Sequence, residues 1–540
     1  MKSDVSLVDP LEYNLATRNA AGDMLLRVAS VSPHRVAVIE KDTSRTYAEL
    51  NEHSNALAHK LSEIHNDRTK PVALLMGNSY DFLVAYFGIV KAGLTVMPIN
   101  FTLGPDDIQW ILNDADTLTV ITDDTFVSVL TTQTAQPAPT PANVIVRNTD
   151  TSDGAPAEDS HIDFHDLQSQ GSVEPLELII NDDDVAQCIY TSGTTSRPKG
   201  ALSKHSAVVT AAYMNANFLG VSWDNGPTPF LNILPLYHVT GLNTLVVPVL
   251  SFGGTVILHN PFDPAECAKL IEKHNVEIIM ALPMMFGALL QANEQVQANI
   301  SSVTTAIYAM THMPDSVLTA LQKAMPDARI ILGSGQTEVL PATVHHWPSQ
   351  NPEKRGSWGM PVPSVRMEIM GPDGTLLEPG QEGEIVYRGP HVTPGYWNNA
   401  QANAGAFAYG WFHSGDIGYK DDDGTVWFTD RAKDIIKTGG ENVSSLKVEQ
   451  ILLDAPGVVE VAVVAAPDSH WGEAVTAVVL SDRVESADAP ACVELEKEII
   501  DYARARMSGF ETPKKVKFVD ALPRTSTGKI RKNILRDSLK

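Results

Sequence analysis

The sequence predicts an α/β fold built around a large first domain, and three features predict it. Short apolar runs at 72–76 and 95–99 flank a helix-like stretch at 79–91, the spacing of a strand–helix–strand unit with parallel strands. The alternation returns between 230 and 332. Near residue 358 the texture changes to short strands and turns, and after 434 to a small mixed set of helices and strands. The expected organisation is a large N-terminal domain of parallel-type α/β sheets with a small β subdomain, residues 1–430. A boundary follows at 431–434, then a small α+β C-terminal domain, residues 435–540.

Taken in order, the chain opens with an irregular stretch and a helix at 19–30. Residues 46–61 read as an amphipathic helix whose apolar face is Leu50, Ala56, Leu57, Ala58 and Leu61. Thr46 precedes Glu49 by three, the spacing of a capping box. A helix at 104–115 and a strand at 117–122 extend the pattern. Residues 132–159, rich in Pro, Thr, Ala and Asp, read as a loop interrupted by a strand at 143–147. A strand at 186–190 leads into a loop, and a helix follows at 206–218. Strands are expected at 230–234, 254–258, 277–280, 305–308 and 329–332. Helices are expected at 264–274, 283–292 and 316–324, with 240–250 a helix or a buried apolar segment. Strands at 367–370, 383–387 and 424–428 make the β subdomain. The last module comprises 445–453, 459–465, 494–506 and 515–519.

Composition narrows the function. The chain has 540 residues, 43% of them hydrophobic, enough for two or more cored domains. Its net charge of −25 disfavours non-specific binding to nucleic acid or anionic membrane. Cys188, Cys267 and Cys492 are scattered and make no metal motif, which fits a reducing cytoplasm. Lys2 and Asp4 follow Met1 without an apolar run, and no long apolar span signals a membrane helix.

Residues 190–200, YTSGTTSRPKG, combine hydroxyl side chains, a Gly and one cation at the end of a strand. Hydroxyls and backbone N–H groups can hold phosphate oxygens while Lys199 offsets their charge. The Walker spacing is absent. Strand ends are where α/β proteins bind ligands.

Five further segments follow in fixed order: 235–238 (PLYH), 335–338 (GQTE), 411–416 (WFHSGD), 430–443 (DRAKDIIKTGGENV) and 523–529 (PRTSTGK). With 190–200 they make a set that resembles the adenylate-forming family of acyl-CoA ligases, peptide-synthetase adenylation domains and beetle luciferase. The likeness runs from about residue 25 to 535. It implies a reaction in which a carboxylate attacks the α-phosphate of ATP, releasing pyrophosphate, and a thiol then takes the acyl group from acyl-AMP. Two anions must meet, so cations are needed at the reacting centre.

Carried onto this sequence, the resemblance makes Lys529 the catalytic lysine, with Thr337 and Glu338 beside it. Glu338 and Thr194 would share the Mg²⁺. ATP and AMP would lie against Thr191, Ser192, Gly193, Thr194, Thr195, Lys199, Ser334, Gly335, Gln336, Asp416 and Arg431, the last two on the ribose. Lys433 takes the hinge position of a small mobile domain, about which rotation would exchange Lys529 for a thiol channel. CoA would pass Gly439, Gly440, Glu441, Trp471 and Phe510; the two aromatics read equally well as core residues. The acyl pocket would be walled by His238, Val239, Met280, Ala309, Met310, Gly333 and Leu340, with Met284 and Met285 adding to an adaptable methionine lining.

The departures are specific. Where the family stacks a Tyr on adenine, this chain has Ser334, with Trp358 as a candidate substitute. Ser196 replaces a common Gly. A Gly-rich segment is replaced by 309–314, AMTHMP, which resembles aryl-acid ligases of the halobenzoate kind. The expected activity is AMP-forming ligation of a hydrophobic acid, aryl or medium-chain, to CoA, with ATP, Mg²⁺ and CoA as its small-molecule partners. A homodimer enters only through the resemblance. The alternative is an adenylating enzyme that passes the acyl group to an amine or a carrier-protein thiol. A non-catalytic nucleotide binder conflicts with Lys529, Glu338 and Asp416 standing together.

Overall fold

The computed structural model describes residues 5–132, 134, 138–149, 161–191, 197–309, 313–340, 343–348, 350–484, 491–524 and 529–539. They fall into two compact units. The described residues within Met1–Ser192, Arg197–Arg366 and Arg388–Ala406 form one; those within Met367–Tyr387 and Phe407–Lys540 form the other.

The first unit is built on two sheets. The nine-stranded one runs Met360–Pro361, Val344–His346, Arg329–Ser334, Thr305–Ala309, Ile278–Met280, Pro229–Asn232, Thr255–Leu258, Val36–Glu40, Thr43–Thr46. Its six central strands are parallel and its edge strands antiparallel. The seven-stranded sheet runs Ile162–Asp163, Asn143–Arg147, Thr119–Asp123, Val72–Leu75, Val96–Pro98, Val185–Thr191, Lys199–Lys204. It is parallel except for its last pair.

The sheets form because their strands are short, apolar and buried on both faces, as parallel strands must be. Between them lies one core. It joins Leu74 and Ile189 of one sheet to Val38, Phe230, Ile307 and Ile331 of the other through Tyr47–Ile64, Tyr80–Lys91 and His205–Leu219. The outer faces carry Pro264–His274, Pro283–Val296 and Asp315–Ala324 on one sheet and Pro105–Asp114 on the other. The capping box at Thr46 forms in full, with the Glu49 side chain accepting from Thr46 N at 2.7 Å.

The segment expected as a helix or buried apolar run at 240–250 is π-helical over Thr240–Val246 and α-helical over Val247–Ser251. One-turn π widenings recur at functional sites. The loop after Val185–Thr191 returns as an antiparallel strand, so Thr191 pairs with Lys199 and Tyr190 with Gly200 before the helix His205–Leu219 begins. Gly200 has no room for a side chain: a Cβ there would lie 2.7 Å from Cys188 Sγ.

The second unit holds a four-stranded sheet, Arg366–Met370, Gly383–Arg388, Phe412–Lys420, Val426–Arg431, and a five-stranded one. In the latter Val458–Asp468 and Gly472–Ser481 make a long antiparallel pair, and Lys515–Phe518 adds in parallel. Ser445–Leu452 and Ala491–Arg504 pack on it.

Candidate active site

In the first unit, two of the six motif segments are joined by a residue that belongs to none of them. Glu338 lies in the single turn Thr337–Val339, and its Oε1 accepts from Tyr396 Oη at 2.8 Å. Lys199 Nζ stands 5.3 Å from the Tyr396 ring, a cation–π distance. The 393–397 segment is pinned to the strand that starts at Lys199: Leu202 N donates to Gly395 O and Trp397 N to Gly200 O. Thr393 N donates to Glu338 O at 2.7 Å. Lys199, Tyr396 and Glu338 therefore form one assembly of cation, ring and carboxylate. The sequence reading missed Tyr396; a Gly-Tyr-Trp run after a Pro is its one local signal.

Ser192, Gly193, Thr194, Thr195, Ser196, Met310 and Gly528 lie outside the described residues. Thr191 is described, with Oγ1 donating to Lys199 O at 3.4 Å. Glu338 suits a hard cation, since one carboxylate oxygen is fixed by Tyr396 and a carboxylate has a second oxygen to offer. Among the described residues no group of three or more His, Cys, Asp or Glu forms a metal cage. A Mg²⁺ held by one carboxylate, phosphate oxygens and water needs none.

Ser334 Oγ and Gln336 Nε2 are buried without hydrogen-bond partners among the described residues. Buried polar groups are normally satisfied, so both fit a ligand that brings its own donors and acceptors. Gly335 sits between them with φ 153°.

Four of the expected acyl-wall residues meet the central core. Val239, Met280 and Leu340 belong to the central core, and Ala309 packs against it. Ala309 stands opposite Gly333 on the neighbouring strand. His238 precedes the π-helical turn; its Nδ1 accepts from Thr240 N at 3.2 Å, which fixes the ring. Leu340 holds a left-handed backbone, φ 49°, and its carbonyl accepts from Asn215 Nδ2 at 3.4 Å. Asn215 also donates to Asn243 O, and Asn243 exchanges two amide bonds with Gln187, at 3.0 and 3.2 Å. The expected methionine lining does not assemble. Met284 is 69% exposed and Met285 packs in the outer core, because the helix Pro283–Val296 turns these residues away from Met280.

In the second unit, Asp416 and Arg431 face each other across an antiparallel pair, with Arg431 Nε 2.6 Å from Asp416 Oδ1. Asp416 is 3% exposed. The next residues are tied down from both sides. The Asp430 carboxylate accepts from Ser445 Oγ at 2.7 Å and Leu446 N at 3.2 Å. Arg536 donates to Lys433 O at 2.6 Å and pairs with Asp434 at 3.0 Å. Burial, followed by the neighbouring Arg431, pushes the Lys433 ammonium down to about 8. Lys529 is exposed, next to Ile530, which bridges to Arg524.

Gly439 and Gly440 make a two-residue hairpin turn with φ 59° and 91°, joining Ile436–Thr438 to Glu441–Val443. Both residues need positive φ, which is why two glycines stand there. Gly439 N donates to Trp471 O at 2.9 Å, and a Cβ on Gly439 would touch the Trp471 ring. Trp471 and Phe510 are 37% and 38% exposed, which removes the core reading of these aromatics. Lys514 Nζ lies 5.2 Å from the Trp471 ring, so the hairpin, the indole and a cation share one surface.

Comparison with known proteins gives the family. Residues 25–397 match the AMP-binding enzyme family and residues 447–529 its C-terminal domain. The chain is 33% identical to a feruloyl-CoA synthase of Amycolatopsis sp, over 95% of this chain and 98% of that one. It is 32% identical to the long-chain-fatty-acid–CoA ligase FadD13 of Mycobacterium tuberculosis, over 96% and 98%. The o-succinylbenzoate CoA synthetase of Bacillus subtilis, solved with its acyl-adenylate intermediate, superposes with a TM-score of 0.80 at 28% identity, covering 96% of this chain and 97% of that one. The chain belongs to the AMP-binding enzyme family, as an AMP-forming acyl-CoA ligase.

Proposed function

We propose that the acid it activates is a hydrophobic monocarboxylate, aryl or medium-chain, and that the residues above divide the work as follows. Lys199 and the hydroxyl loop before it hold the β- and γ-phosphates. Glu338, oriented by Tyr396, would hold Mg²⁺, which offsets phosphate charge when bound. Thr337 contacts the phosphate or carboxylate. Ser334 and Gln336 hydrogen-bond adenine in place of a stacking ring. Asp416 accepts the ribose hydroxyls and Arg431 orients it. Lys529 supplies the cation shared by the carboxylate and α-phosphate as the acyl–phosphate bond forms and pyrophosphate departs. CoA thiol then attacks the acyl carbon and AMP leaves; Gly439, Gly440, Glu441, Trp471 and Phe510 line its approach. The 431–434 segment is the hinge between residues 1–430 and 435–540.

The observation that carries the choice of acid is the small row Ala309–Gly333 beside a core containing Val239, Met280 and Leu340. It offers apolar width and, among the described wall residues, no cation for a second carboxylate. Among the described residues no helix is long and apolar enough to cross a membrane. A cytoplasmic location and a homodimer belong to the same proposal, on the family likeness alone.

The test is pyrophosphate release over a panel of aryl and alkyl acids, then thioester formation with and without CoA. Release with benzoate, phenylpropenoate or octanoate, and thioester only with CoA, is expected. Activity confined to dicarboxylates or amino acids would overturn the choice of acid.

A further inference from the structure

Two rings beside the proposed acyl wall each carry a nitrogen that finds no partner among the described residues. His345 stands opposite Gly333 in one strand pair, and Gly333 stands opposite Ala309 in the next. Opposed residues share a face. The row therefore reads methyl, no side chain, imidazole. It faces the central core: a Cβ on Gly333 would come within 3.4 Å of Ile307 Cγ2, and Ile307 belongs to the cluster that holds Val239, Met280 and Leu340. The His345 ring lies 5.0 Å from Phe218 and, edge-on, 4.4 Å from Trp347. Phe218 is part of that core and Trp347 packs against it.

His345 Nδ1 and Trp347 Nε1 are both shut off from water, and neither makes a hydrogen bond among the described residues. Native structures leave few such atoms unsatisfied, and here two lie on adjacent rings. Burial, with Arg329 nearby, holds the imidazole down at about 4, so it is neutral at pH 7. A neutral imidazole protonated at Nε2 offers an acceptor at Nδ1, whereas indole Nε1 only donates. A hydroxyl is one donor and one acceptor, the complement of this pair. The space left by Gly333 and Ala309, flanked by aromatic rings, suits a flat ring to carry it.

We propose that His345 and Trp347 select a hydroxyl-bearing aromatic acid, Trp347 donating to the hydroxyl oxygen and His345 Nδ1 accepting its proton. The inference rests on the reading that Ala309 and Gly333 wall the acyl pocket.

The experiment compares kcat/KM of the full-length enzyme, with ATP, Mg²⁺ and CoA, for three pairs: benzoate and 4-hydroxybenzoate, phenylacetate and 4-hydroxyphenylacetate, 3-phenylpropenoate and its 4-hydroxy form. A site built to bond a hydroxyl rejects the analogue lacking it, so the hydroxy acid is preferred by about 100-fold or more in at least one pair. Trp347→Phe and His345→Leu each reduce that ratio by about tenfold or more, and His345→Asn, which restores an amide partner, recovers part of it. A wild-type ratio near one in every pair overturns the inference, whether or not the variants fold. So does a ratio that survives unchanged in both Trp347→Phe, which keeps the aromatic ring, and His345→Leu. If plain acids are converted without preference, this inference alone falls. If no acid of either kind releases pyrophosphate, the reading beneath it falls as well.

Discussion

Tyr396 donates its hydroxyl to Glu338 Oε1 at 2.8 Å while its ring lies 5.3 Å from Lys199 Nζ. One side chain thus sets the direction of the carboxylate proposed to hold Mg²⁺ and backs the cation proposed to hold phosphate. Removing only the hydroxyl separates these roles. Tyr396→Phe keeps the ring, so Lys199 keeps its neighbour, but Glu338 loses its orienting bond. Partners behind a metal ligand typically contribute about 10–100-fold in affinity or activity. The expected result is a Mg²⁺ requirement raised by about tenfold, read from pyrophosphate release against Mg²⁺ at saturating acid. An unchanged Mg²⁺ curve with a raised KM for ATP would place Tyr396 on the phosphate side instead.

Tyr396 also marks the limit of what sequence spacing discloses. The alternation of apolar runs, the capping box of Thr46 and Glu49, and the Gly439–Gly440 turn are local features, and local chemistry decides them. The six motif segments are legible because each is a short string of chemically unusual residues. Tyr396 acts through chain closure: a strand starting at Lys199 has to bring 393–397 against itself before the hydroxyl reaches Glu338. Sequence proximity misled for the methionines for the converse reason. Met280 ends a strand and Met284 begins the next helix, so four residues separate opposite environments. His345 and Trp347 carry no motif; Gly333 stands across from His345 with no side chain, and Trp347 meets the His345 ring.

Asn215 fixes the left-handed Leu340 by its carbonyl and reaches Asn243 in the π-helical turn. Asn243 is in turn paired with Gln187 on the strand that leads into the phosphate loop. Asn215→Leu fills the volume but leaves two carbonyls without a donor, at a cost of about 1–3 kcal/mol each. A lower melting temperature follows from the loss of these bonds alone. The positional role predicts more: KM for the acid rises several-fold while KM for ATP changes little, because Leu340 is proposed as part of the acyl wall. Equal rises in both constants would reduce Asn215 to a packing residue.

Lys91 is fully buried, and its Nζ donates to neutral groups, Asn51 O and Oδ1 and Asn55 Oδ1, at 3.2, 2.7 and 2.7 Å. Burial pushes the ammonium down to about 7, with Asp23 a smaller opposing influence. Below pH 7 the folded and unfolded chains both carry the proton, and the folded state bears the whole cost of the buried charge. Between 7 and 10.5 only the unfolded chain keeps it, so stability rises with pH across that window. Over the whole window the effect is on the order of 5 kcal/mol. Lys91→Met removes the proton from both states. Its melting temperature relative to wild type is therefore expected to be highest at pH 6 and to fall by a few degrees by pH 9.5. A difference that stays flat with pH would show that Lys91 keeps its ordinary ionisation in the fold.

Arg536 holds the carbonyl of Lys433 and the carboxylate of Asp434, and it stands seven residues beyond Lys529 on the same terminal stretch. The segment proposed as the hinge and the one that carries the proposed catalytic cation are thus mechanically joined. If Lys529 serves only the first half-reaction, Lys529→Ala stops pyrophosphate release while thioester formation from supplied acyl-AMP and CoA stays near wild type. Lys433→Pro, which fixes φ at about −65° and stiffens the segment, is expected to do the reverse: adenylation persists and thioester formation fails. The two variants check each other. Equal loss of both half-reactions in Lys529→Ala would mean that the cation serves both, with no exchange of the group over the reacting carbon. Full overall turnover in Lys433→Pro would place the rotation elsewhere in the chain.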